Sequence, residues 1–349
     1  MRALRFFVRR RSDFPGRVDF NRCKVLFIRQ DKIGDVLVST PLFRTLRQKY
    51  PGIILDIILS PQNVVAVRNN PHLRRRWIYD KRLISSLRMI RGLHRERYDF
   101  AVDLMDNPSA TSTSFCLLAG ARWNVGIAKS NDYSYDIVVP LLSRRDAHIV
   151  DRLAQLLAPF GIDPSVSPGP VEYHTSQAAE TTVSGHWKSL GFEGKPVVGV
   201  NISAGGEVRY WGTENFRKLV STFEAHHPEW RILILSKPKD RSRAEAIANG
   251  HSRAALPPET TFDEFAAFIA RLSLLVTPDT SAVHLAAGYG VPTVALYVQS
   301  DPNLRIWEPY RIPHEAIVTP VDDLSTIDAD KVCEAVERLI RTTQERKDT

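Results

Sequence analysis

Thr277-Pro278-Asp279-Thr280-Ser281-Ala282-Val283-His284-Leu285-Ala286-Ala287 stands between an apolar run at 274–276 and a second at 293–297. Apolar run, polar turn, small-residue helix and apolar run is the pattern of one β-α-β unit with buried strands. In such a unit the unpaired amides of the helix start gather at the carboxyl edge of a parallel sheet, together with Asp279, Thr280, Ser281 and His284. A phosphate-bearing ligand is held at that kind of edge. Locally, Asp279 also reads as a cap for Ala282, and His284 as a core histidine.

The same alternation extends in both directions. Upstream, a helix at 178–190, a strand at 197–201, a helix at 214–226, a strand at 231–235 and helices at 241–249 and 261–270 precede the quoted turn. Before them, Gly161-Ile162-Asp163-Pro164-Ser165-Val166-Ser167-Pro168-Gly169-Pro170 reads as a domain boundary. The first half repeats the theme: a strand at 24–29, a helix to Tyr50 that Pro41 should kink, and a strand at 53–60. A strand near 77–79, a basic helix at 83–96, a strand at 100–104, a helix at 112–118 and a helix at 147–160 follow. These alternations predict an α/β chain of two doubly wound, Rossmann-like domains, 24–165 and 171–340, facing a central cleft, with a basic leader at 1–23.

Charge is unevenly placed: residues 1–170 carry 28 Lys and Arg against 15 Asp and Glu, while the remainder carries 19 against 24. The leader sets Arg2, Arg5, Arg9, Arg10, Arg11, Arg17 and Arg22 beside Leu4, Phe6, Phe7, Val8 and Phe14, a mix suited to an anionic lipid surface. A second basic cluster spans Arg74 to Arg97. The plainer reading is a frayed tail and a solvated helix face. No recognition helix, zinc finger or aromatic-basic RNA motif is present, which argues against a nucleic-acid partner. Three widely spaced cysteines argue against disulfides or a zinc site. No run approaches the roughly 20 apolar residues of a membrane span, and the N-terminus lacks a signal-peptide core, so a cytoplasmic location is expected.

Four places can carry chemistry. Asp35, which Gly34 sets at a helix start near the end of the first strand, can take a proton from a hydroxyl or simply stabilise the helix start. With one glycine in Asp31-Lys32-Ile33-Gly34-Asp35, this opening is not a dinucleotide fingerprint. The loop Ser203-Ala204-Gly205-Gly206-Glu207-Val208-Arg209-Tyr210-Trp211 offers small residues and a cationic fork to a diphosphate, with Trp211 reading as a packing residue. Asp240, after the strand at 231–235, can accept from a ribose diol or start a helix. The fourth is the quoted turn.

Ile28-Arg29-Gln30-Asp31-Lys32-Ile33-Gly34-Asp35-Val36-Leu37, Asn70-Pro71-His72-Leu73, Arg209-Tyr210-Trp211 and the quoted turn with Val291-Pro292-Thr293 together resemble the ADP-heptose:lipopolysaccharide heptosyltransferases, glycosyltransferase family 9. The resemblance implies a glycosyltransferase-B fold, inversion at the anomeric carbon, and neither metal nor cofactor. It implies Asp35 as general base, Arg209 at the diphosphate, Asp240 at the ribose, and Asp279 with Thr280 and His284 around the sugar diphosphate; Ser203, Gly205 and Gly206 of the small-residue loop and Ser281 of the quoted turn complete the expected donor site. The expected partners are a nucleotide sugar, most simply ADP-heptose, and a lipid-linked saccharide acceptor at the inner-membrane surface. Ser281 in place of glycine, Val298-Gln299 in place of Gly-Pro and Arg209 in place of lysine depart from the family pattern. A different nucleotide sugar, or a binding module without catalysis, stays open on sequence grounds.

Overall fold

Pro41 begins a helix instead of kinking one. The chain forms β1 (Lys24–Ile28), a short α1 (Ile33–Leu37) and a separate α2 (Thr40–Lys49), with Pro41 in the first turn of α2. A proline there sacrifices no intrahelical hydrogen bond, because first-turn amides have no partner in the helix. The computed structural model describes residues 18–166 and 168–348, and side chains as far as Glu345. Leader residues 1–17 lie outside the described residues. Leader residues 20–22 form a 3₁₀ turn, and Phe20 sets its ring 5.1 to 6.1 Å from those of Tyr50, Phe160 and Phe100. Packing therefore starts before Lys24. The chain divides between Gly169 and Pro170 into two compact units.

The first unit continues with β2 (Ile54–Leu59), β3 (Arg75–Ile78), α3 (Leu83–Glu96), β4 (Phe100–Asp103), α4 (Ala110–Leu118), β5 (Trp123–Ile127), β6 (Ile137–Val139) and α5 (Ile149–Ala154). All strands are parallel, in the order β3-β2-β1-β4-β5-β6. Alternate residues of β1 serve opposite faces. Phe27 meets Phe43 of α2 with ring centroids 4.8 Å apart, while Leu26 and Ile28 pack with Met89 and Leu93 of α3 and Phe115 of α4. The helix expected over 147–160 is shorter: α5 gives way at Gln155 to a 3₁₀ stretch that contains Pro159. Strands β5 and β6 were not anticipated.

The second unit comprises α6 (Gln177–Ser189), β7 (Val197–Asn201), α7 (Thr213–His226), β8 (Arg231–Leu235), α8 (Arg241–Ala248), β9 (Ala254–Ala255), α9 (Phe262–Ile269), β10 (Leu274–Pro278), α10 (Ser281–Tyr289), β11 (Thr293–Val298), β12 (His314–Thr319) and α11 (Ala329–Asp348). Its parallel sheet runs β12-β11-β10-β7-β8-β9, the same winding as the first. Val198, Val200, Ile232, Ile234, Leu274, Val276, Val294 and Leu296 form one apolar face, on which Phe216 and Phe223 of α7, Ile247 of α8 and Val336 of α11 pack. Strands β9 and β12 and helix α11 were not anticipated either. Among the described residues, no helix is long and apolar enough to cross a membrane.

In both sheets the winding reverses at one pair of neighbouring strands, β1 and β4 in the first and β7 and β10 in the second. The loops leaving those strands at the carboxyl edge diverge, and ligands bind in the crevice they leave.

Candidate active site

In the first unit the crevice is organised by Arg29, the residue after β1, whose side chain is 1 % exposed. Its Nη2 donates to Asp35 Oδ1 at 2.9 Å, its Nε lies 3.1 Å from Asp31 Oδ1, and its Nη1 donates to the carbonyl of Leu104, just beyond β4. Asn63 holds the loop backbone, donating from Nδ2 to the carbonyls of Arg29 and Asp31 at 3.1 and 3.2 Å. The second oxygen of Asp35 accepts the Lys32 amide at 3.2 Å. Asp35 therefore stabilises the start of α1, one of the two roles left open by the sequence, and it stands at the switch point with its direction fixed from two sides.

Asp31 is a perturbed carboxyl group. Burial pushes its pKa up to about 6, the neighbouring Arg29 charge opposes the rise, and Asp35 on the same guanidinium adds to it. Next to this cluster, at the end of β4, buried Asp103 accepts from Ser112 Oγ at 2.9 Å and Tyr135 Oη at 2.5 Å, and pairs with Lys129 at 3.0 Å. The Tyr135 ring lies so close over Gly126 that a Cβ there would fall 2.4 Å from it, which explains glycine within β5. Burial and the Asp103 charge both raise the Tyr135 pKa, so it stays a protonated donor. Asp106 is held by Arg152 at 3.0 Å. Arg29, Asp31, Asn63 and the Asp103 network were given no role by the sequence reading. The visible signal was a charged or amide residue at the end of an apolar run.

In the second unit, Asn201 at the end of β7 is buried and donates from Nδ2 to Thr277 Oγ1 of β10 at 2.9 Å and to Thr280 Oγ1 at 3.4 Å. Thr280 caps α10, accepting the Ala282 amide at 3.3 Å. This corrects the local reading of Asp279 as the cap for Ala282, because the carboxylate points to Arg209 instead, with Nη1 and Oδ2 3.5 Å apart. Both side chains are 37 % exposed, so the pair is accessible to solvent. Ser281 is half-buried in the first turn of α10, and His284 is buried on the same helix, its ring centroid 6.3 Å from that of Trp307.

Ser203 is buried and joins two strand ends: its Oγ donates to Asp240 Oδ2 at 2.7 Å and accepts the Lys237 amide at 2.7 Å. Asp240 makes no side-chain cap bond to α8, and its other oxygen lies 3.8 Å from Arg243. Arg243 also pairs with Glu207 at 2.9 Å and covers the Tyr210 ring at 4.3 Å, so it braces the 3₁₀ turn that carries Arg209. Gly205 and Gly206 need no special backbone conformation, and a Cβ on either would meet open space. Trp211 is fully buried, donating from Nε1 to the Ile327 carbonyl at 2.8 Å, as a packing residue does.

Two doubly wound parallel sheets in one chain, each with polar and ionised groups collected at its switch point, define a protein of the glycosyltransferase-B fold. The chain belongs to glycosyltransferase family 9 (heptosyltransferase), whose profile matches residues 86–331, and it is a glycosyltransferase. It is 24 % identical over 298 residues to lipopolysaccharide heptosyltransferase 3 of Escherichia coli K12, covering 79 % of this chain and 82 % of that one. The crystal structure of the family 9 glycosyltransferase from Veillonella parvula superposes with a TM-score of 0.79 at 18 % identity, over 93 % of this chain and 99 % of that one. E. coli heptosyltransferase WaaC with ADP-2-deoxy-2-fluoro heptose superposes with a TM-score of 0.69 at 18 % identity, over 92 % and 99 %.

Proposed function

We propose that the protein is an inverting, metal-independent heptosyltransferase of lipopolysaccharide core synthesis that moves a heptose from ADP-heptose to a lipid-linked saccharide acceptor. The observation that carries this reading is the carboxylate of Asp35, fixed by Arg29 and the Lys32 amide at the first switch point of a family 9 chain. In the proposed step the acceptor hydroxyl oxygen attacks the anomeric carbon and gives its proton to Asp35, while the bond from that carbon to the diphosphate oxygen breaks and ADP departs. Arg209 and the amides at the start of α10 offset the charge that develops on the leaving diphosphate, so no divalent cation is required. Asp240 and Ser203 form the ribose end of the donor site, with Gly205 and Gly206 leaving open space for the phosphates. Ser281 and His284 lie at the sugar end. The ADP-sugar analogue bound by WaaC supports an ADP-linked donor.

In the same reading the enzyme works as a peripheral protein on the cytoplasmic face of the inner membrane, which its basic N-terminal half approaches. Asp35→Asn tests the chemistry. Turnover with ADP-heptose and a lipid-linked core acceptor should fall by about 10² to 10⁴, with donor affinity unchanged. Wild-type turnover in that variant would remove Asp35 as the base, and a wild-type protein that binds the donor but transfers nothing would leave a binding module.

A further inference from the structure

Helix α3 carries two independent faces. Inward, Met89 and Leu93 are buried with Phe115 and Cys116, and Gly92 lies against the Trp77 ring, where a Cβ would fall 2.7 Å from Cη2. Outward, Leu83, Ile84 and Leu87 are 74, 65 and 58 % exposed. No other element of the described residues leaves more than one large aliphatic side chain that open. Their spacing continues through Arg88, Arg91 and Arg95, so the six residues form one stripe, apolar at the start of the helix and cationic toward its end. Lys81 and Arg82 precede the stripe and are exposed. Glu96, the one acid between 81 and 97, is occupied by Lys24, Arg74 and Arg75.

Beside the cationic end lies an open concavity of about 770 Å³, lined by Arg22, Lys24, Arg91, Arg95 and Arg97. Its two acids are both engaged, Glu96 with Lys24, Arg74 and Arg75, and Asp99 as acceptor of the Lys24 amide at 2.9 Å. The direction of the helix matters as well. It follows β3 and leads back to β4, so in this parallel unit its apolar start stands at the carboxyl edge, the edge that holds Arg29 and Asp35, and its cationic end at the amino edge.

We propose that the outward face of α3 is a membrane-contact face, with Leu83, Ile84 and Leu87 entering the acyl boundary of an anionic leaflet while Arg88, Arg91, Arg95 and the concavity receive phospholipid phosphates. A helix with an aliphatic patch, a cationic margin and a separately packed inner side is suited to lie in such an interface. Self-association through this face is disfavoured, because a parallel pairing of two copies would oppose their arginine rows and an antiparallel one would set the apolar patch of each against the arginines of the other. A lipid-linked acceptor held in the leaflet would then be presented at the same sheet edge as the proposed base. The inference deepens the membrane-surface part of the proposed function and rests on it.

Flotation of the full-length protein with phosphatidylcholine vesicles, with and without one third phosphatidylglycerol, tests it. Wild type should bind the anionic vesicles selectively. The L83S/I84S/L87S variant should bind them at least about tenfold more weakly, given the loss of three aliphatic chains that would enter the bilayer, at an unchanged melting temperature, because all three are exposed in the protein. R88Q/R91Q/R95Q should lower the preference for anionic lipid. Equal binding by wild type and the serine variant would overturn the assignment to α3 while leaving membrane attachment intact, whereas failure of the wild type to bind would remove the membrane reading itself. A wild-type dimer that the serine variant converts to monomers, with vesicle binding unchanged, would show the face to be a contact between copies.

Discussion

Replacing Asp31 by asparagine should stabilise the protein at pH 8 and leave it unchanged near pH 4. The side chain of Asp31 is 24 % exposed, and Arg29 Nε approaches it at 3.1 Å. Burial nevertheless dominates, raising the pKa from an ordinary 3.8 to about 6. A carboxyl group whose folded pKa exceeds its unfolded one binds more protons in the native state between the two values. Stability therefore falls as pH rises from about 4 to about 6, and it stays reduced above that. At about 1.36 kcal/mol per pH unit the upper limit of this penalty is about 3 kcal/mol. Solvent screening at the exposed edge brings it to about 1–2 kcal/mol. Asparagine carries no charge to desolvate and removes the penalty, so melting followed by calorimetry should show a gain of about 3–6 °C at pH 8 that vanishes at pH 4. A variant equally stabilised at both pH values, or destabilised at pH 8, would refute the reasoning. The Arg29 attraction would then outweigh burial.

Two further outcomes are expected. Arg209→Ala should weaken ADP-heptose and ADP alike by about 1.5–3 kcal/mol in titration calorimetry, the usual range for hydrogen bonds to charged groups; equal affinities in variant and wild type would locate the diphosphate away from the pair with Asp279. Removing residues 1–17 should reduce binding to anionic vesicles and its salt dependence, because six arginines are lost while Phe20 is retained with its contacts to Tyr50, Phe100 and Phe160. Unchanged vesicle binding would deny the leader a role at the membrane. The cut stops short of Phe20 so that lost packing does not obscure the result.

Much of the winding was legible because its signals are local. The boundaries of β7, β8 and α3 coincide with those expected, since each is an apolar or periodic run closed by a charge, a proline or a loop. Strand β5 was hidden because Asn124 and Gly126 interrupt its apolar character, and the glycine is explained only by a ring arriving from Tyr135. Strand β12 is an edge strand with a half-exposed surface, so it lacks a continuous apolar run. Helix α11 was missed for no such reason, since Val332, Ala335, Val336, Leu339 and Ile340 stand at helical spacing and its signal is local.

The site divides along the same line. Asp35, Asp240 and Asp279 could be placed at strand ends from sequence, but not their partners. Ser203 reaches Asp240 across 37 positions, Asn201 reaches Thr277 across 76, and Arg29 reaches Leu104 across 75. Each of these contacts joins the carboxyl ends of two strands that neighbour one another only after the sheet has wound. A residue that ends an apolar strand with a charge or an amide is costly to bury unless such a partner arrives from the adjacent strand. Arg29, Asn201 and Asp103 all end strands in this way, and all three are buried with partners from a neighbouring strand end or from the segment that follows the strand. Polar residues at the carboxyl ends of predicted parallel strands are therefore candidate site residues even when no motif marks them.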